Sequence, residues 1–201
     1  MPKWVTTERF DIQARAAGNP TKDQMRLMMQ ALLSDRFKLA IHAETRQLPV
    51  FALVLAKPGK FGPQLRSHLD DPPCGPQLTV GSTETVAGGF PTACGGIIPI
   101  EPSTSGRMRL AARNVTLALT AATLRGYGNF DRPVIDRTGL SGTFDFYFEY
   151  ADLSPGAEVQ GDTTGPTFLE ALRDQLGLKL DSQIGPVDVI VLDHVEEPSE
   201  N

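Results

Sequence analysis

The chain is poor in the features that most often announce a function. No apolar run approaches the roughly 20 residues that a helix needs to cross a bilayer, so no membrane span is expected. It opens Met1-Pro2-Lys3-Trp4, without the apolar stretch of a signal peptide. Taken literally, that opening means cytoplasm. Basic charge is scarce: 19 Lys and Arg stand against 24 Asp and Glu, leaving a net −5. That balance argues against a nucleic-acid partner, which would call for a basic face. Cysteine occurs twice, at Cys74 and Cys94, and the spacing is neither a metal pattern nor a CxxC redox motif. Histidine occurs three times. His42 and His194 sit on or beside expected strands and His68 in a loop. None has a Cys, His or Asp at ligand spacing, which argues against zinc. Gly139-Leu140-Ser141-Gly142 is not the Gly-x-Ser-x-Gly nucleophile elbow, and no helical pattern follows it. The sequence therefore offers no catalytic constellation and calls for no cofactor or metal.

What is present is a globular composition of 201 residues, 40% hydrophobic and 21% charged, enough to bury a real core. The chain is organised around Pro133 to Tyr150. Val134-Ile135 and Phe144 to Tyr150 read as two strands, separated by the turn-rich Asp136-Arg137-Thr138-Gly139-Leu140-Ser141-Gly142. From Phe144 the alternation puts Phe144, Phe146, Phe148 and Tyr150 on one face and Asp145, Tyr147 and Glu149 on the other, as in a half-buried strand. Within the turn, Arg137 could clamp an anionic ligand or a partner carboxylate. The structural reading is preferred: Asp136 caps the turn, Arg137 pairs locally, and Gly139 or Gly142 takes a positive φ, which makes these two strands a hairpin.

The expected fold is α+β, with two related strand-helix-strand-strand units at 1–57 and 107–201 and an irregular Pro/Gly-rich insertion at 58–106. In the first unit Phe10 to Ala14 and Phe37 to Ile41 read as strands, and Val50 to Ala56 as a central strand apolar on both faces. Thr21 to Gln24 is a capping box. Met25, Met28, Met29, Leu32 and Leu33 then form an apolar stripe assigned to the core. In the second unit Met108 to Ala112 reads as a strand and Leu117, Ala121 and Leu124 as a short helix ending at Gly126. Thr167 to Glu170 is a second capping box, and Leu169, Leu172 and Leu176 are the stripe of a helix ended by Gly177. Leu178 to Asp181 and Val187 to Val195 read as two strands. Phe10-Asp11-Ile12 matches Phe144-Asp145-Phe146, and Pro49-Val50 matches Pro186-Val187. These matches suggest an internal duplication whose first copy is truncated.

Several of these runs resemble a known family. Phe10-Asp11-Ile12, the stretch Leu32 to Leu39, His42 to Arg46, Pro133 to Leu140, Gln175 to Leu180 and the ending Pro198-Ser199-Glu200-Asn201 are similar to an uncharacterised, soil-associated bacterial protein family. The family is a domain of unknown function with no assigned activity. Its members carry an export signal and a further segment ending near Gly-Pro-x-Trp, of which Pro2-Lys3-Trp4 remains here. The resemblance therefore implies an exported protein, periplasmic or extracellular, with a truncated first repeat. Export in turn implies a Cys74–Cys94 disulfide, the alternative being two free thiols in the cytosol. More loosely, and in element order alone, each repeat resembles the short N-terminal domain of secretins and TonB-dependent receptors, a periplasmic docking or signalling module. The expectation is a non-enzymatic interaction or signalling module with an envelope protein partner, working through sheet edges or the insertion. The alternative is a small-ligand binder or enzyme with its site between the repeats, near Arg137 and the insertion.

Overall fold

Threonine begins each of the three longer helices. Thr21 and Thr167 accept from the amides of Gln24 and Glu170, whose side chains reach back to the threonine amides, closing two capping boxes. Thr116 accepts from the amide of Leu119. Each such cap contributes about 1 kcal/mol to helix stability. The computed structural model describes residues 2–69, 74, 85–86, 88–151 and 165–198. The elements in chain order are α1 (Trp4–Thr7), α2 (Lys22–Phe37), β1 (Ala40–Leu55), β2 (Leu65–Ser67), β3 (Thr85–Val86), β4 (Phe90–Pro91), β5 (Gly96–Ile100), β6 (Arg107–Val115), α3 (Leu117–Tyr127), β7 (Val134–Asp136), β8 (Phe144–Ala151), α4 (Phe168–Leu176) and β9 (Leu178–His194). The fold is α+β.

Two compact units emerge. Unit 1 comprises Met1–Gln47 with Pro186–Asn201, and unit 2 comprises Leu48–Gly185. Both boundaries fall inside long strands, β1 and β9, so each of these strands contributes to both units.

Unit 2 is built on a four-stranded antiparallel sheet in the order β2-β8-β6-β5. One face of β8, Phe144, Phe146, Phe148 and Tyr150, joins Ala171, Leu172 and Leu176 of α4 and Leu117, Ala121 and Leu124 of α3 in a single core. Burying each such leucine or phenylalanine contributes about 1.5–3 kcal/mol. Phe168 closes this core edge-to-face against Phe148 and Tyr150, with ring centroids 5.4 and 4.9 Å away. Leu169, expected in the α4 stripe, is instead 51% exposed.

The C-terminal end of α4 is capped by another segment of chain. Gly177 takes a left-handed φ of 71°. The amides of Gly62 and Gln64 donate to the carbonyls of Leu176 and Gln175, each at 2.9 Å. Carbonyls that a helix end leaves without partners are thereby satisfied.

The structure corrects several expectations. β7 and β8 are not a hairpin: β7 runs parallel to β1, pairing Val134 with Phe51 and Asp136 with Leu53 in the order β7-β1-β9, while β8 lies in the other sheet. Of the insertion expected at 58–106, residues 70–73, 75–84 and 87 lie outside the described residues; the remainder is not irregular, since it supplies β2, β3, β4 and β5. Phe10 to Ala14 forms no strand, so neither Phe10-Asp11-Ile12 nor the strand-first order echoes β8. What the halves do share is a helix begun by a threonine box, a left-handed residue after it (Lys38, Gly177), and one long strand carrying a proline, Pro49 or Pro186. Each long strand replaces two expected ones.

In unit 1 no described residue is buried. In the α2 stripe assigned to the core, Met25 is 47%, Met28 44% and Met29 44% exposed, while Leu32 and Leu33 are half-buried. Trp4, Phe10 and Phe37 cluster with ring centroids 5.5 to 6.4 Å apart. His42 Nδ1 bonds Asp193 at 2.8 Å, and the Thr45 hydroxyl donates to Asp188 at 2.7 Å.

Candidate functional site

The reverse face of β8 carries Asp145, Tyr147 and Glu149, which alternation alone would give to solvent. Instead Asp145 is fully buried and Glu149 is 8% exposed. Buried carboxylates require partners, and the register supplies them. Arg66 of β2 lies opposite Asp145, and Arg109 of β6 opposite Glu149. Aromatic rings fill the space between: the Arg66 guanidinium sits 3.9 Å from the Phe90 ring centre and that of Arg109 4.4 Å from the Tyr147 ring centre. Phe90 and Tyr147 meet edge-to-face at 5.6 Å.

At the Asp145 end, the His68 Nδ1–H donates to Oδ1 at 2.7 Å and the Arg66 Nη2 to Oδ2 at 3.3 Å. The third donor is the backbone N–H of Asn114, at 3.0 Å. Asn114 has a φ of 53° and falls where the β6–β8 register breaks between Ala112 and Val115. A bulged residue in the left-handed region turns its amide away from the ladder. Its side-chain Nδ2 reaches Cys74 Sγ at 3.7 Å. Cys74 is disulfide-bonded to Cys94, with Cα atoms 5.6 Å apart. A ring nitrogen of His68 and the two sulfurs all lie within 4.8 Å of one another. While bonded to each other, the sulfurs offer no thiolate to a metal.

At the Glu149 end, a cavity of about 250 Å³ is lined by Gln64, Ser103, Arg107, Arg109, Glu149 and Gln175, among others. Burial pushes the Glu149 carboxyl up, but the Ser103 amide and hydroxyl, Arg107 and Arg109 outweigh it and hold it below the ordinary carboxylate value. Both Ser103 bonds are 2.7 Å long. The Gln175 side-chain amide binds the backbone of Glu149 at both groups, accepting from its N–H at 2.9 Å and donating to its C=O at 2.7 Å. Buried Arg107 Nε, Arg109 Nε and Gln64 Oε1 lack partners among the described residues.

The turn singled out in the sequence is separate from this face. Asp136 Oδ1 accepts from the Thr138 amide at 2.9 Å and hydroxyl at 2.8 Å, while Gly139 and Gly142 take φ of 72° and 90°. The backbone N–H of Arg137 donates to the Leu53 carbonyl, its side chain is exposed, and none of the four turn residues lines the cavity.

A family model described as "Protein of unknown function (DUF3738)" matches residues 1–195. The chain belongs to this family. No curated protein and no solved structure matches it. In this DUF3738 chain no helix among the described residues is long and apolar enough to cross a membrane. Sequence reasoning missed His68, Asn114 and Asp145 as a group. The available signals were a charge set inside the aromatic run Phe144-Asp145-Phe146 and a histidine six positions before Cys74. Neither fixes a contact, because β2, β6, β8 and the disulfide meet only in the fold.

Proposed function

We propose that this protein is an exported, non-enzymatic interaction module that binds an envelope protein through the apolar face of unit 1. One observation carries the reading: α2 begins with a complete capping box and carries an apolar stripe, yet no described residue of unit 1 is buried. A helix in water draws most of its stability from packing such a face, and an open amphipathic helix suits docking against an apolar partner. A groove of about 490 Å³ lined in part by Leu27 and Met28 offers a seat for an apolar side chain. The disulfide is compatible with export. The likeness to a soil-associated bacterial family whose members carry an export signal points the same way.

The test is site-specific photo-cross-linking from position 28 in cells of the source organism, beside a Met25→Glu, Met28→Glu double variant. One discrete envelope adduct, lost in the double variant while unit 2 keeps its melting transition, is expected. An adduct unaffected by the two glutamates, or none at all, refutes the reading. The second reading, a small-ligand binder or enzyme, is favoured by the Glu149 cavity. It predicts a retained small molecule and no protein adduct, from a site that lies inside unit 2 and does not include Arg137.

A further inference from the structure

The Asp145 cluster has more parts than a structural disulfide needs. A staple requires two sulfurs and a loop to close. Here one sulfur belongs to an exposed residue, Cys74, and the other to a half-buried one, Cys94. Beside both stands His68, whose side chain is 5% exposed and whose Nδ1 is held at 2.7 Å by a carboxylate that is itself 1% exposed. The Asn114 side chain donates towards the Cys74 sulfur, from the left-handed backbone conformation that asparagine adopts more readily than other non-glycine residues. A carboxylate that orients an imidazole next to sulfur, with an amide donor on that sulfur, is the arrangement that activates a thiol.

We propose that Cys74–Cys94 is a thiol–disulfide exchange site. Its partner is a dithiol, free or carried by a protein; Cys74 is the sulfur attacked, and His68 is the proton carrier. This goes beyond the docking reading and does not depend on it. One thiolate of the incoming dithiol attacks Cys74 Sγ, a mixed disulfide forms, and the Cys74–Cys94 bond breaks. Its electron pair leaves on Cys94 Sγ, which takes a proton from the His68 imidazolium. The second thiol of the dithiol gives its proton to His68; as a thiolate it attacks the dithiol's other sulfur in the mixed disulfide and expels Cys74 as a thiolate. The dithiol departs as its disulfide, oxidised by two electrons, and this protein is reduced by two. Reprotonated, His68 faces the Cys74 thiolate as an imidazolium, with Asp145 behind the ring and Asn114 Nδ2 donating to the sulfur. The reverse sequence oxidises the partner. Among the described residues, Asp145 from β8 holds both His68 and Arg66 of β2. Arg66 is permanently cationic, and positive charge near a sulfur favours its thiolate.

The experiment uses the full chain, reduced with dithiothreitol, freed of it, and alkylated with iodoacetamide across a pH series, with each cysteine quantified by mass spectrometry. At about pH 6, well below the ordinary thiol range, Cys74 is expected to react at least about tenfold faster than Cys94. His68→Gln removes this low-pH reactivity and leaves an ordinary thiol profile. Asn114→Gly tolerates the left-handed backbone and removes only the amide donor; it lowers the Cys74 rate several-fold while the oxidised protein melts as before. A wild-type chain whose two cysteines react equally with ordinary thiol profiles overturns the proposal. So does a His68→Gln variant with an unchanged Cys74 profile, or a chain that unfolds on reduction and then shows ordinary thiols.

Discussion

Glu149 shows how one side chain can hold a sheet face together and make it sensitive to acid. Burial disfavours its charged form, yet two bonds from Ser103 and the guanidinium groups of Arg107 and Arg109 more than offset that cost. Its folded pKa therefore lies below its unfolded one. A carboxyl of this kind contributes stability that is fully present above the ordinary carboxylate value of about 4.3 and is lost as pH falls through the folded value. Urea unfolding of wild type and Glu149→Gln should differ most near neutral pH, with the glutamine variant the weaker. The gap should close as the pH is lowered past that window. A gap that stays constant with pH would mean that Glu149 acts by shape alone. At the same scale, Asp145 holds three donors with no solvent exposure. Removing it leaves His68 and Arg66 without their shared carboxylate, so Asp145→Ala should cost about 3–5 kcal/mol by urea unfolding.

Among elements, the end of α4 is a demanding junction. Any Cβ on Gly62 would overlap the backbone of Gln175 and Leu176. The chain passes so close because the Gly62 and Gln64 amides must reach the last carbonyls of the helix. Gly62→Ala should therefore destabilise unit 2 by about 3 kcal/mol or more in thermal or urea unfolding. A change below about 1 kcal/mol would mean that this approach can relax. Features set by near neighbours could be read from the sequence: both threonine boxes, the glycine that ends α4, the Asx turn at Asp136, and the aromatic face of β8. Features set by pairing could not. Strands were expected to begin just after Pro49 and Pro186, but each proline is exposed and lies within a continuous strand, where a missing N–H does little harm away from a ladder bond. Phe10 to Ala14 alternates like a strand without forming one, since alternation supplies a face and no partner. Asp145 and Glu149 looked solvated because nothing in a period of two reveals that arginines from β2 and β6 stand opposite. Cys74–Cys94 could be inferred only through export, and its company of His68 and Asn114 not at all.

At the scale of the whole molecule, stability is unevenly shared. Every buried residue among the described ones belongs to unit 2, and none to unit 1. Local opening follows burial. Native-state hydrogen exchange of the isolated protein should therefore find the amides of β6, β8 and α4 protected close to the global limit. Those of α2 should exchange through much smaller openings. Equal protection in α2 would show that its apolar face is already covered in solution, and would remove the case for docking there.

Gln175 has a further consequence. β2 pairs with β8 only from Phe144 to Phe146, so beyond that point the strand would present open N–H and C=O groups. At Glu149 a side-chain amide fills both. At that residue a single glutamine thus does the work of a neighbouring strand, and, two residues on, the Pro166 carbonyl accepts from the Ala151 N–H. The open margin of a sheet is where proteins crowded during synthesis or transport recruit one another into aggregates. Along this stretch of β8 the margin is closed by a residue of the helix that also covers the core, and an incoming strand would find both groups of Glu149 already taken.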